Sequence, residues 1–465
     1  MARIAPLSGF PEWLPEGRIV EQHVIEQLRR TFELHGFAGI ETRAVEPLDQ
    51  LLRKGETSKE VYVLRRLQES DNDQGPDQAD HRSSDKQLGL HFDLTVPFAR
   101  YVLENAGKLA FPFKRYQIQK VWRGERPQDG RFREFAQADI DVVGAGELPY
   151  HYEVELPLVM AEALGALREI GVPPVKILVN NRKVAEGFYR AVGLDDVEAV
   201  LRNIDKLDKI GRENVAKLLG EEAGATPVQA QACLDLAAIN GSDSGVIDAV
   251  RELAAALGMD VASHPLLAEG LAELGALIDA ASKRAPGVVV ADLKIARGLD
   301  YYTGSVYETV LVGHESLGSI CSGGRYDTLA SDGKNTYPGV GLSIGVSRLV
   351  SRLLTAGLVR ATRSVPTAVL VAVVNEEQRS QSDAVAAALR ARGIPADVAP
   401  KAAKFGKQIQ FADRRGIPFV WFPSDDGAVY GQVKDIRSGE QTQADANTWT
   451  PPAEDVSPRV VATEA

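Results

Sequence analysis

A chain of 465 residues, 44% of them hydrophobic, can bury more than one core, which excludes a disordered or fibrous protein. Its formal net charge of -11 at pH 7 excludes a protein that coats nucleic acid through bulk charge, so any nucleic-acid contact is expected to be local. The two cysteines, Cys233 and Cys321, form no pairing framework, and the seven histidines lack metal-ligand spacing. No signal-peptide pattern or membrane-spanning run is present, and we expect a cytoplasmic protein without a membrane partner.

The first 86 residues predict a helix, a strand and a polar loop. Apolar residues recur near the helical period from Arg18 to Phe37, and Gly36 is typical of a helix end. A strand is predicted from Gly39 to Val45. Residues 66–86 are almost all polar and contain Gly-Pro, which is typical of a surface loop.

The next segment, Leu88–Ala99, is apolar and predicts a strand that ends at Pro97. Asp93 is the one charged residue inside this predicted strand. A carboxylate in such a segment either has a structural ion-pair partner or faces a cleft. Because the neighbours Phe92 and Leu94 would enter the core, Asp93 is expected to point away from it, which favours the cleft.

A β-hairpin is predicted between Lys114 and Gly144. Its strands would run from Tyr116 to Arg123 and from Phe135 to Val143, joined by a turn-rich connection. The connection and its margins carry a cluster of charged groups: Arg123, Glu125, Arg126, Arg131 and Arg133. Guanidinium groups bind phosphate oxygens bidentately, so the hairpin is a candidate anion site. A solvated hairpin tip with paired charges is an equally good interpretation of this segment by itself.

Strands are interrupted after the hairpin and then resume. A helix is predicted from Leu156 to Ile170, with Pro157 in its first turn, and a buried strand from Val175 to Val179. Residues 182–286 read as helical throughout, without strands, and therefore as an insertion. Strands return afterwards, at Val288–Leu293 and Ser305–Val312.

The C-terminal third predicts a small α/β domain, because strands and helices alternate along it. The predicted elements are a strand at Thr367–Val374, a helix at Glu377–Arg392, a strand at Ala396–Val398, a helix at Lys407–Arg415 and a strand at Phe419–Phe422. The prolines after Asn447 indicate a frayed tail.

Two glycine-containing segments are candidate binding elements. Ala296–Gly304 combines Arg297 with Tyr301 and Tyr302, and the glycine beside the arginine would allow a substrate to approach closely. A tyrosine-containing turn is the alternative. In Cys321–Asp327 paired glycines would let the chain pass beneath a flat ligand, although a simple turn is the favoured interpretation.

A third glycine-rich segment, Gly339–Arg348, does not have the spacing of the dinucleotide fingerprint, which excludes a Rossmann site. A helix that begins near Ser343 would place Arg348 about one turn in. The arginine would then face either the cleft of the hairpin or solvent.

Together these motifs resemble those of the class II aminoacyl-tRNA synthetases. Arg123 followed by Glu125 and Phe135 resembles motif 2, and Gly339–Arg348 resembles motif 3. Gly36–Pro47 is a weaker match to motif 1. Motif 2, the two glycine-containing segments and motif 3 give four spaced motifs in the right order, which are far more specific than any one of them.

Within that class, Arg297–Tyr302 and Ser322–Asp327 are similar to the two signature segments of the histidyl-tRNA synthetase family. The resemblance implies an α+β fold: an antiparallel-sheet catalytic core with a helical insertion and a C-terminal α/β anticodon-binding domain. The implied boundaries are 1–181 and 287–360 for the core, 182–286 for the insertion, 365–446 for the anticodon-binding domain and 447–465 for a flexible tail.

The resemblance also implies the ATP contacts. Arg123 would bind the α-phosphate, Glu125 would lie near the adenine amino group and Phe135 would stack on the base. Arg131 and Arg348 would hold the β- and γ-phosphates. Mg²⁺ is expected with ATP, and no protein side chain is assigned to it.

The residues implied to bind L-histidine are Asp93, Thr95, Arg123, Gln137, Asp141, Arg297, Tyr301 and Tyr302. Arg297 resembles the family's catalytic arginine and, with Arg123, would be catalytic. A neutral imidazole has one donor and one acceptor nitrogen, and Asp141 and Tyr302 would form hydrogen bonds with these two nitrogens. Asp93 and Asp141 stand where many bacterial relatives have glutamate, so a shifted sheet or a bridging water is expected.

The implied partner is tRNA(His). Contacts to its phosphates are assigned to Lys404, Lys407 and Arg414, although a solvated helix face explains these charges equally well. Motif 1 builds a dimer interface in the class, and a homodimer is expected. Two rival functions are a non-catalytic regulatory subunit of ATP phosphoribosyltransferase and a class II synthetase for another amino acid, such as threonine or proline.

Overall fold

The chain divides into two compact units, which are described separately. The computed structural model describes residues 5–52, 60–65, 87–127, 130–296, 301–424 and 429–463. The first unit comprises Met1–Pro11, Val24–Arg168 and Pro173–Arg352, and the second comprises Glu12–His23, Glu169–Val172 and Leu353–Ala465. The polar loop predicted at 66–86 lies outside the described residues.

Within the described ranges the α-helices are α1 Pro15–Leu34, α2 Leu48–Leu51, α3 Thr95–Asn105, α4 His151–Ala166, α5 Arg182–Ala191, α6 Val197–Ile204, α7 Leu207–Ile210, α8 Arg212–Ala223, α9 Pro227–Ala238, α10 Gly245–Ala256, α11 Pro265–Arg284, α12 Val346–Thr355, α13 Arg379–Ala391, α14 Phe405–Arg414 and α15 Ala453–Val456. The strands are β1 Ala38–Gly39, β2 Val45–Pro47, β3 Val63–Leu64, β4 Leu88–Leu90, β5 Phe113–Trp122, β6 Glu134–Val143, β7 Val175–Asn181, β8 Asn240–Gly241, β9 Val289–Asp292, β10 Ser305–Leu311, β11 Cys321–Tyr326, β12 Gly339–Gly345, β13 Val359–Ala361, β14 Val369–Val371, β15 Ala396–Val398, β16 Phe419–Pro423, β17 Tyr430–Asp435, β18 Gln441–Asp445 and β19 Val460–Ala462.

A nine-stranded sheet organises the first unit, in the order β1-β5-β6-β12-β11-β10-β7-β9-β8. The six central strands, from β5 to β7 in that order, pair antiparallel, whereas β1 is parallel to β5 and β9 is parallel to β7. The predicted α+β fold with an antiparallel core is therefore confirmed.

The two faces of this sheet differ in polarity because side chains alternate along each strand. Ile140 of β6 pairs with Leu342 of β12, and both are fully or almost fully buried in the apolar core. One residue further along, Asp141 pairs with Gly341 on the opposite face. The apolar face packs into the core, and the other face is free to form a polar site.

The predicted hairpin is present, and its strands are slightly longer than expected. β5 and β6 pair from Phe113 opposite Val143 to Trp122 opposite Glu134. The backbone N–H of Arg123 then donates to the carbonyl of Arg133 at 2.8 Å, which closes the base of the connection. The arginine-rich connection is thus held at both ends by the sheet.

The N-terminal elements differ from the predicted boundaries. Helix α1 begins at Pro15 rather than Arg18, since the fixed φ of proline suits the start of a helix. It ends at Leu34, and Gly36 follows with a φ of 76°, which glycine adopts without strain. The strand predicted at Gly39–Val45 is wrong, because β1 and β2 are two separate short strands at either end of it.

The strand predicted over Leu88–Ala99 is also wrong. Only β4 is extended there, and helix α3 begins at Thr95 with Pro97 as its third residue. Proline is tolerated in the first turn of a helix because an N–H at that position has no intrahelical acceptor. The Asp93 Oδ1 accepts from the backbone N–H of Val96 at 3.1 Å, which helps to begin the helix.

Pro157 lies inside helix α4 rather than in its first turn, because the helix begins at His151. A proline in a helix interior leaves the carbonyl four residues earlier without its usual N–H donor. Here that carbonyl, of Glu153, accepts from the hydroxyl of Tyr307 at 2.6 Å. The sheet thus supplies the hydrogen bond that the proline removes.

The segment 182–286 consists mainly of helices, but the prediction that it has no strand is wrong. Strand β8 pairs antiparallel with β9 at the edge of the sheet. Helices α5 and α11 approach closely where both carry glycine: a Cβ on Gly187 would lie 2.6 Å from the nitrogen of Leu267, and one on Gly270 would lie 2.6 Å from the nitrogen of Val184.

The second unit has the predicted alternation of strands and helices. Its five-stranded sheet runs in the order β15-β14-β16-β17-β18, with the first three strands parallel. Apolar residues of β14 enter two cores: Val371 packs with Leu389 of α13, and Leu370 packs with Ala412 of α14. A parallel strand covered on both faces explains the uninterrupted apolar run in this part of the sequence.

The frayed tail predicted from Asn447 is not what the structure shows for residues 447–463. Strand β19 pairs with β13, and helix α15 precedes it. The buried carboxylate of Asp455 binds the guanidinium of Arg437 through two contacts of 2.8 Å. A strand partner nearly one hundred residues earlier orders this segment, and local composition gave no sign of it.

Candidate active site

The polar face of the central sheet forms the floor of a cavity of about 540 Å³. Gln137 and Asp141 of β6 lie on this face, paired with Gly345 and Gly341 of β12. Gly345 has no side chain to fill the space above the sheet and lines the cavity, whereas the carboxylate of Asp141 lies over Gly341. This arrangement leaves a polar cavity large enough for a nucleotide and a small acid.

Most of the predicted substrate-binding residues are brought together here. Those that line the cavity are Asp93, Thr95, Arg123, Glu125, Arg131, Phe135, Gln137, Tyr301, Tyr302 and Arg348. Arg297, the predicted catalytic arginine, lies outside the described residues. Asp141 is not among the lining residues, although its charge acts on Tyr301, which is.

Arg123 is held in place at the end of β5. Its Nε donates to the carbonyl of Phe92 at 3.0 Å, and its guanidinium carbon lies 5.1 Å from the ring centre of Phe135. The backbone bond to Arg133 fixes the main chain at the same point. A guanidinium held by its Nε and stacked on a ring keeps its terminal nitrogens available for an anion.

The charges of the hairpin connection divide between the cavity and the outside. Glu134 pairs with Lys120 and also accepts from the indole N–H of Trp122 at 2.9 Å, so its partners belong to the neighbouring strand. Arg131 and Glu125 line the cavity and lie 3.7 Å apart. The connection is therefore not only a solvated tip, because part of its charge faces the cavity.

Arg348 reaches the cavity from the first turn of α12. The preceding strand β12 extends to Gly345, so the helix begins at Val346 and not near Ser343 as predicted. Its Nη2 donates to the carbonyl of Leu317. Arg123 and Arg348 are more than 200 residues apart in sequence and line the same cavity.

Two adjacent tyrosines form one wall. The rings of Tyr301 and Tyr302 have centres 4.1 Å apart. Burial raises the pKa of the Tyr301 phenol, as do the nearby carboxylates of Asp93 and Asp141. The hydroxyl therefore stays protonated at neutral pH and can donate a hydrogen bond.

The paired glycines at 323 and 324 belong to strand β11, so the favoured interpretation of this segment as a turn is wrong. A Cβ on Gly324 would lie 2.9 Å from the ring of Tyr302, and one on Gly323 would lie 1.9 Å from the carbonyl oxygen of Gly341. The flat group above Gly324 is thus a side chain of the protein itself. Glycine here allows Tyr302 to lie close to the sheet.

A buried ion pair that the sequence did not predict holds Asp141. The Nη2 of Arg115 lies 2.7 Å from Asp141 Oδ2, and the hydroxyl of Tyr326 donates to Asp141 Oδ1 at 2.7 Å. Arg115 is fully buried, and its guanidinium stacks on Phe98 at 4.3 Å. Strand alternation places Arg115 on the polar face, but only the register shows that its partner is Asp141.

A second carboxylate, that of Asp139, lies two residues before Asp141 on the same face of β6. Burial raises the pKa of Asp139, and the charge of Arg115 acts in the opposite direction, with Nη2 3.7 Å from Asp139 Oδ2. The amide of Gln137 donates to Asp139 Oδ1 at 3.0 Å. The floor of the site is therefore a charged network rather than a set of independent side chains.

Sequence reasoning also missed Glu308 and Lys209, which line the cavity. Glu308 lies on β10 opposite Ser322 of β11. Strand alternation gave no signal for it, because Glu308 shares its face of β10 with Val306 and Val310 and lies opposite the face of Ser305. Lys209 comes from α7 of the helical segment, and no local signal in the sequence connects it to the sheet.

The predicted tRNA contacts lie in the second unit. Lys404, Lys407 and Arg414 are all exposed, on or next to α14. Arg414 donates to the carbonyl of Gln410 at 3.3 Å, within its own helix.

The described side chains of His, Cys, Asp and Glu form no group of three or more that could hold a metal. None of the described helices has the length and apolar composition needed to cross a bilayer.

Comparison with known proteins places these features in a family. The family model for histidyl-tRNA synthetase matches residues 9–349, and the model for an anticodon binding domain matches residues 368–444. The chain is 63% identical over 463 residues to a histidine-tRNA ligase of Micrococcus luteus, which covers 99% of each chain. It is 59% identical over 467 residues to a histidine-tRNA ligase of Cutibacterium acnes, which covers 100% of each. A crystal structure of histidyl-tRNA synthetase from Nostoc sp. PCC 7120 is similar with a TM-score of 0.81 and 36% identity, over 96% of this chain and 98% of that one.

Proposed function

The chain belongs to the histidyl-tRNA synthetase family, and on that premise we propose that it activates L-histidine with ATP and transfers it to the 3' end of tRNA(His). In the first step the histidine carboxylate attacks the α-phosphorus, the bond to pyrophosphate breaks, and histidyl-adenylate forms. In the second step the tRNA hydroxyl displaces AMP. The observation that carries the proposal is the convergence of Arg123 and Arg348 on one polar cavity above an antiparallel sheet.

ATP is proposed to lie across the sheet. Arg123 would bind the α-phosphate, where its guanidinium stabilises the charge that develops on the phosphoryl oxygens. Arg131 and Arg348 would hold the β- and γ-phosphates. Glu125 and Phe135 would bind the adenine, by a hydrogen bond to the amino group and by stacking. All five side chains line the cavity, which supports this arrangement.

Attack by a carboxylate requires no activated base, so positioning and charge stabilisation are the main contributions of the protein. Arg297 is proposed as a second catalytic arginine that bridges the histidine carboxylate and the α-phosphate. This role comes from the resemblance of the segment to the family's signature.

Histidine is proposed to bind with its imidazole between Asp141 and Tyr302. The α-ammonium group would bind to Asp93, Thr95 and Gln137, and Tyr301 would close the pocket. The hydrogen bonds of Asp141 support this role, since Arg115 and Tyr326 orient a carboxylate, which is the acceptor that an imidazole N–H needs. An amino acid without a matching polar side chain would leave these buried groups unpaired, which disfavours its binding.

Mg²⁺ is proposed to accompany ATP, where it would neutralise phosphate charge. Such ions are held by one or two carboxylates together with substrate phosphates, and Glu308 in the cavity wall fits that donor set. A Glu308→Gln enzyme should need more Mg²⁺ for half-maximal activity. An unchanged Mg²⁺ requirement would exclude this carboxylate as a ligand.

The assay that tests the function is amino-acid-dependent exchange of pyrophosphate into ATP across a panel of amino acids. Histidine alone is expected to support exchange, and chelation of Mg²⁺ should stop it. A chain that supports no exchange would be the regulatory-subunit rival. A response to threonine, proline or another amino acid instead would show a different synthetase.

Contacts with tRNA(His) are proposed on α14, because Lys404 and Lys407 are exposed in a segment that matches an anticodon binding domain. Arg414 is proposed to add a third contact. Replacing Lys404 and Lys407 together with glutamine should raise the KM for tRNA roughly ten-fold at moderate salt, since each lost phosphate contact weakens binding. Pyrophosphate exchange without tRNA should be unchanged in the same enzyme.

Lys217→Gln is a matched control for that experiment, since Lys217 is an exposed lysine of α8 in the other unit. It should leave the KM for tRNA unchanged. If the double variant also keeps the wild-type KM, these lysines belong to a solvated helix face.

A homodimer is proposed on the basis of motif 1 and of one surface. Strand β2, at the end of motif 1, belongs to a three-stranded sheet in which the exposed residues Leu64 and Leu88 are paired on neighbouring strands. Exposed apolar groups on one surface are typical of interfaces. Analytical ultracentrifugation tests the proposal, and a monomer at micromolar concentration would exclude it.

A cytoplasmic location is proposed from the chemistry of the cysteines. Cys233 and Cys321 are both buried and unpaired, which suits a reducing compartment. Cell fractionation measures the location directly. Recovery of the protein outside the cytoplasm would contradict the proposal.

A further inference from the structure

Arg115 and Asp141 form a buried ion pair below the polar cavity. They face each other across the β5–β6 hairpin, with 2.7 Å between Nη2 and Oδ2, and both are at most 2% exposed. Neither residue is among those that line the cavity. A charge pair removed from water this completely stabilises a structure only when its geometry is good, so its presence needs an explanation.

Both oxygens of Asp141 are engaged by the protein. Arg115 binds Oδ2, and the hydroxyl of Tyr326 donates to Oδ1 at 2.7 Å. The third constraint is Gly341, because a Cβ there would lie only 2.1 Å from Oδ1. The carboxylate therefore lies directly over the backbone of Gly341, with Arg115 at one oxygen and Tyr326 at the other, which favours one orientation.

Asp141 lies among other buried carboxylates, so its negative charge requires a compensating cation nearby. Asp139 shares the face and is also buried, and Asp93 acts electrostatically on Asp139. Carboxylates packed together away from water tend to take up protons. A protonated Asp141 could no longer accept with both oxygens, so its use as an acceptor depends on compensating positive charge.

We propose that Arg115 is a positioning residue for histidine recognition: it balances the buried charge of Asp141 and orients the carboxylate as the acceptor for the imidazole N–H, an inference that rests on the proposed function. Neither Arg115 nor Asp141 is among the residues that line the cavity, but the charge of Asp141 acts on Tyr301, which does line it, so Arg115 acts through Asp141. Tyr326 supports the same orientation from the other oxygen. This assignment also explains how an aspartate can occupy the position, since the arginine and the glycine together fix its short side chain.

The test is the effect of Arg115→Lys on the separate Michaelis constants of pyrophosphate exchange. Lysine keeps the charge and loses the planar fork, so the protein is expected to fold. The KM for histidine should rise roughly ten-fold or more, because a hydrogen bond to a charged group is weakened. The KM for ATP should change by less than about two-fold, because Arg115 lies outside the proposed ATP contacts. Tyr326→Phe should raise the KM for histidine in the same direction by a smaller factor.

Arg100→Lys is the matched control, since Arg100 forms another buried ion pair, with Glu46, and does not line the cavity. It should lower thermal stability and leave the KM for histidine unchanged. Equal changes in the KM for histidine and for ATP in the Arg115→Lys enzyme would mean that Arg115 has only a structural role. An unchanged KM for histidine would overturn the inference as well. These outcomes can be distinguished from failure of the proposed function, because in that case the wild-type chain itself would show no histidine-dependent exchange.

Discussion

The Arg123→Ala enzyme is expected to lose histidine-dependent pyrophosphate exchange by about 10²–10³-fold or more, mainly in kcat. Arg123 lines the cavity with its terminal nitrogens available, while its Nε is bound to the carbonyl of Phe92. A guanidinium fixed in this way stabilises the charge that develops in the transition state most effectively, because the side chain does not have to reorient during the reaction. The initial rate of exchange at saturating ATP and histidine measures the effect.

Arg126→Ala is the control for this prediction. Arg126 belongs to the same connection, is exposed and does not line the cavity. Its replacement should leave exchange within about two-fold of the wild-type rate, as is usual for surface substitutions. Similar losses in both enzymes would mean that the arginines act only through the general charge of the hairpin.

Arg297→Ala gives the comparison with the second proposed catalytic arginine. It should abolish adenylate formation and leave histidine binding, measured by calorimetry without ATP, largely intact. Equal loss of both would mean that Arg297 is structural. Arg123→Ala and Arg297→Ala acting on one transition state should also be strongly non-additive in the double variant.

The Gly341→Ala substitution should damage both stability and histidine binding. Its Cβ would lie 2.1 Å from Asp141 Oδ1, far inside van der Waals contact. The carboxylate cannot move away easily, because Arg115 and Tyr326 hold it from two sides. We expect a loss of about 1–3 kcal/mol in the free energy of unfolding from overpacking. The displaced carboxylate should raise the KM for histidine by up to about 10²-fold.

Thermal or urea unfolding and steady-state exchange kinetics measure these two effects separately. Gly165→Ala is the control: it lies in helix α4, and a Cβ there meets nothing within 4 Å. Alanine at that position should stabilise the protein by roughly 0.5–1 kcal/mol, because glycine is a poor helix former. A Gly341→Ala enzyme with wild-type KM for histidine would show that the orientation of Asp141 is unimportant.

Several features of the site could be predicted because they are local. The hairpin strands follow from residues that alternate along a single segment, and they carry Arg123 and Phe135 at their ends. The two apolar neighbours of Asp93 predicted that its side chain faces a cleft, and Asp93 does line the cavity. The strand assigned around it was nevertheless wrong, because an apolar run of this length does not distinguish a strand from a helix start.

Other features depend on which segments pair, and no local pattern reports that. Pro157 is tolerated inside a helix because Tyr307, 150 residues later, donates to the carbonyl of Glu153. Residues 460–462 form a strand because β13 is their partner. In each case a distant residue supplies a hydrogen bond that the local sequence lacks.

The sequence by itself determined the family, the two-part α+β organisation and the segments that carry the chemistry, because motif spacing and strand periodicity are properties of neighbouring residues. Only the tertiary structure decided that Arg115 pairs with Asp141, that Tyr302 lies over Gly324, and that Glu308 reaches the cavity. The first contact depends on the exact register of the β5–β6 hairpin, and the others depend on how separate segments pack on the sheet. Their register is set by the packing of the whole sheet, and burial then makes each charge depend on its partner.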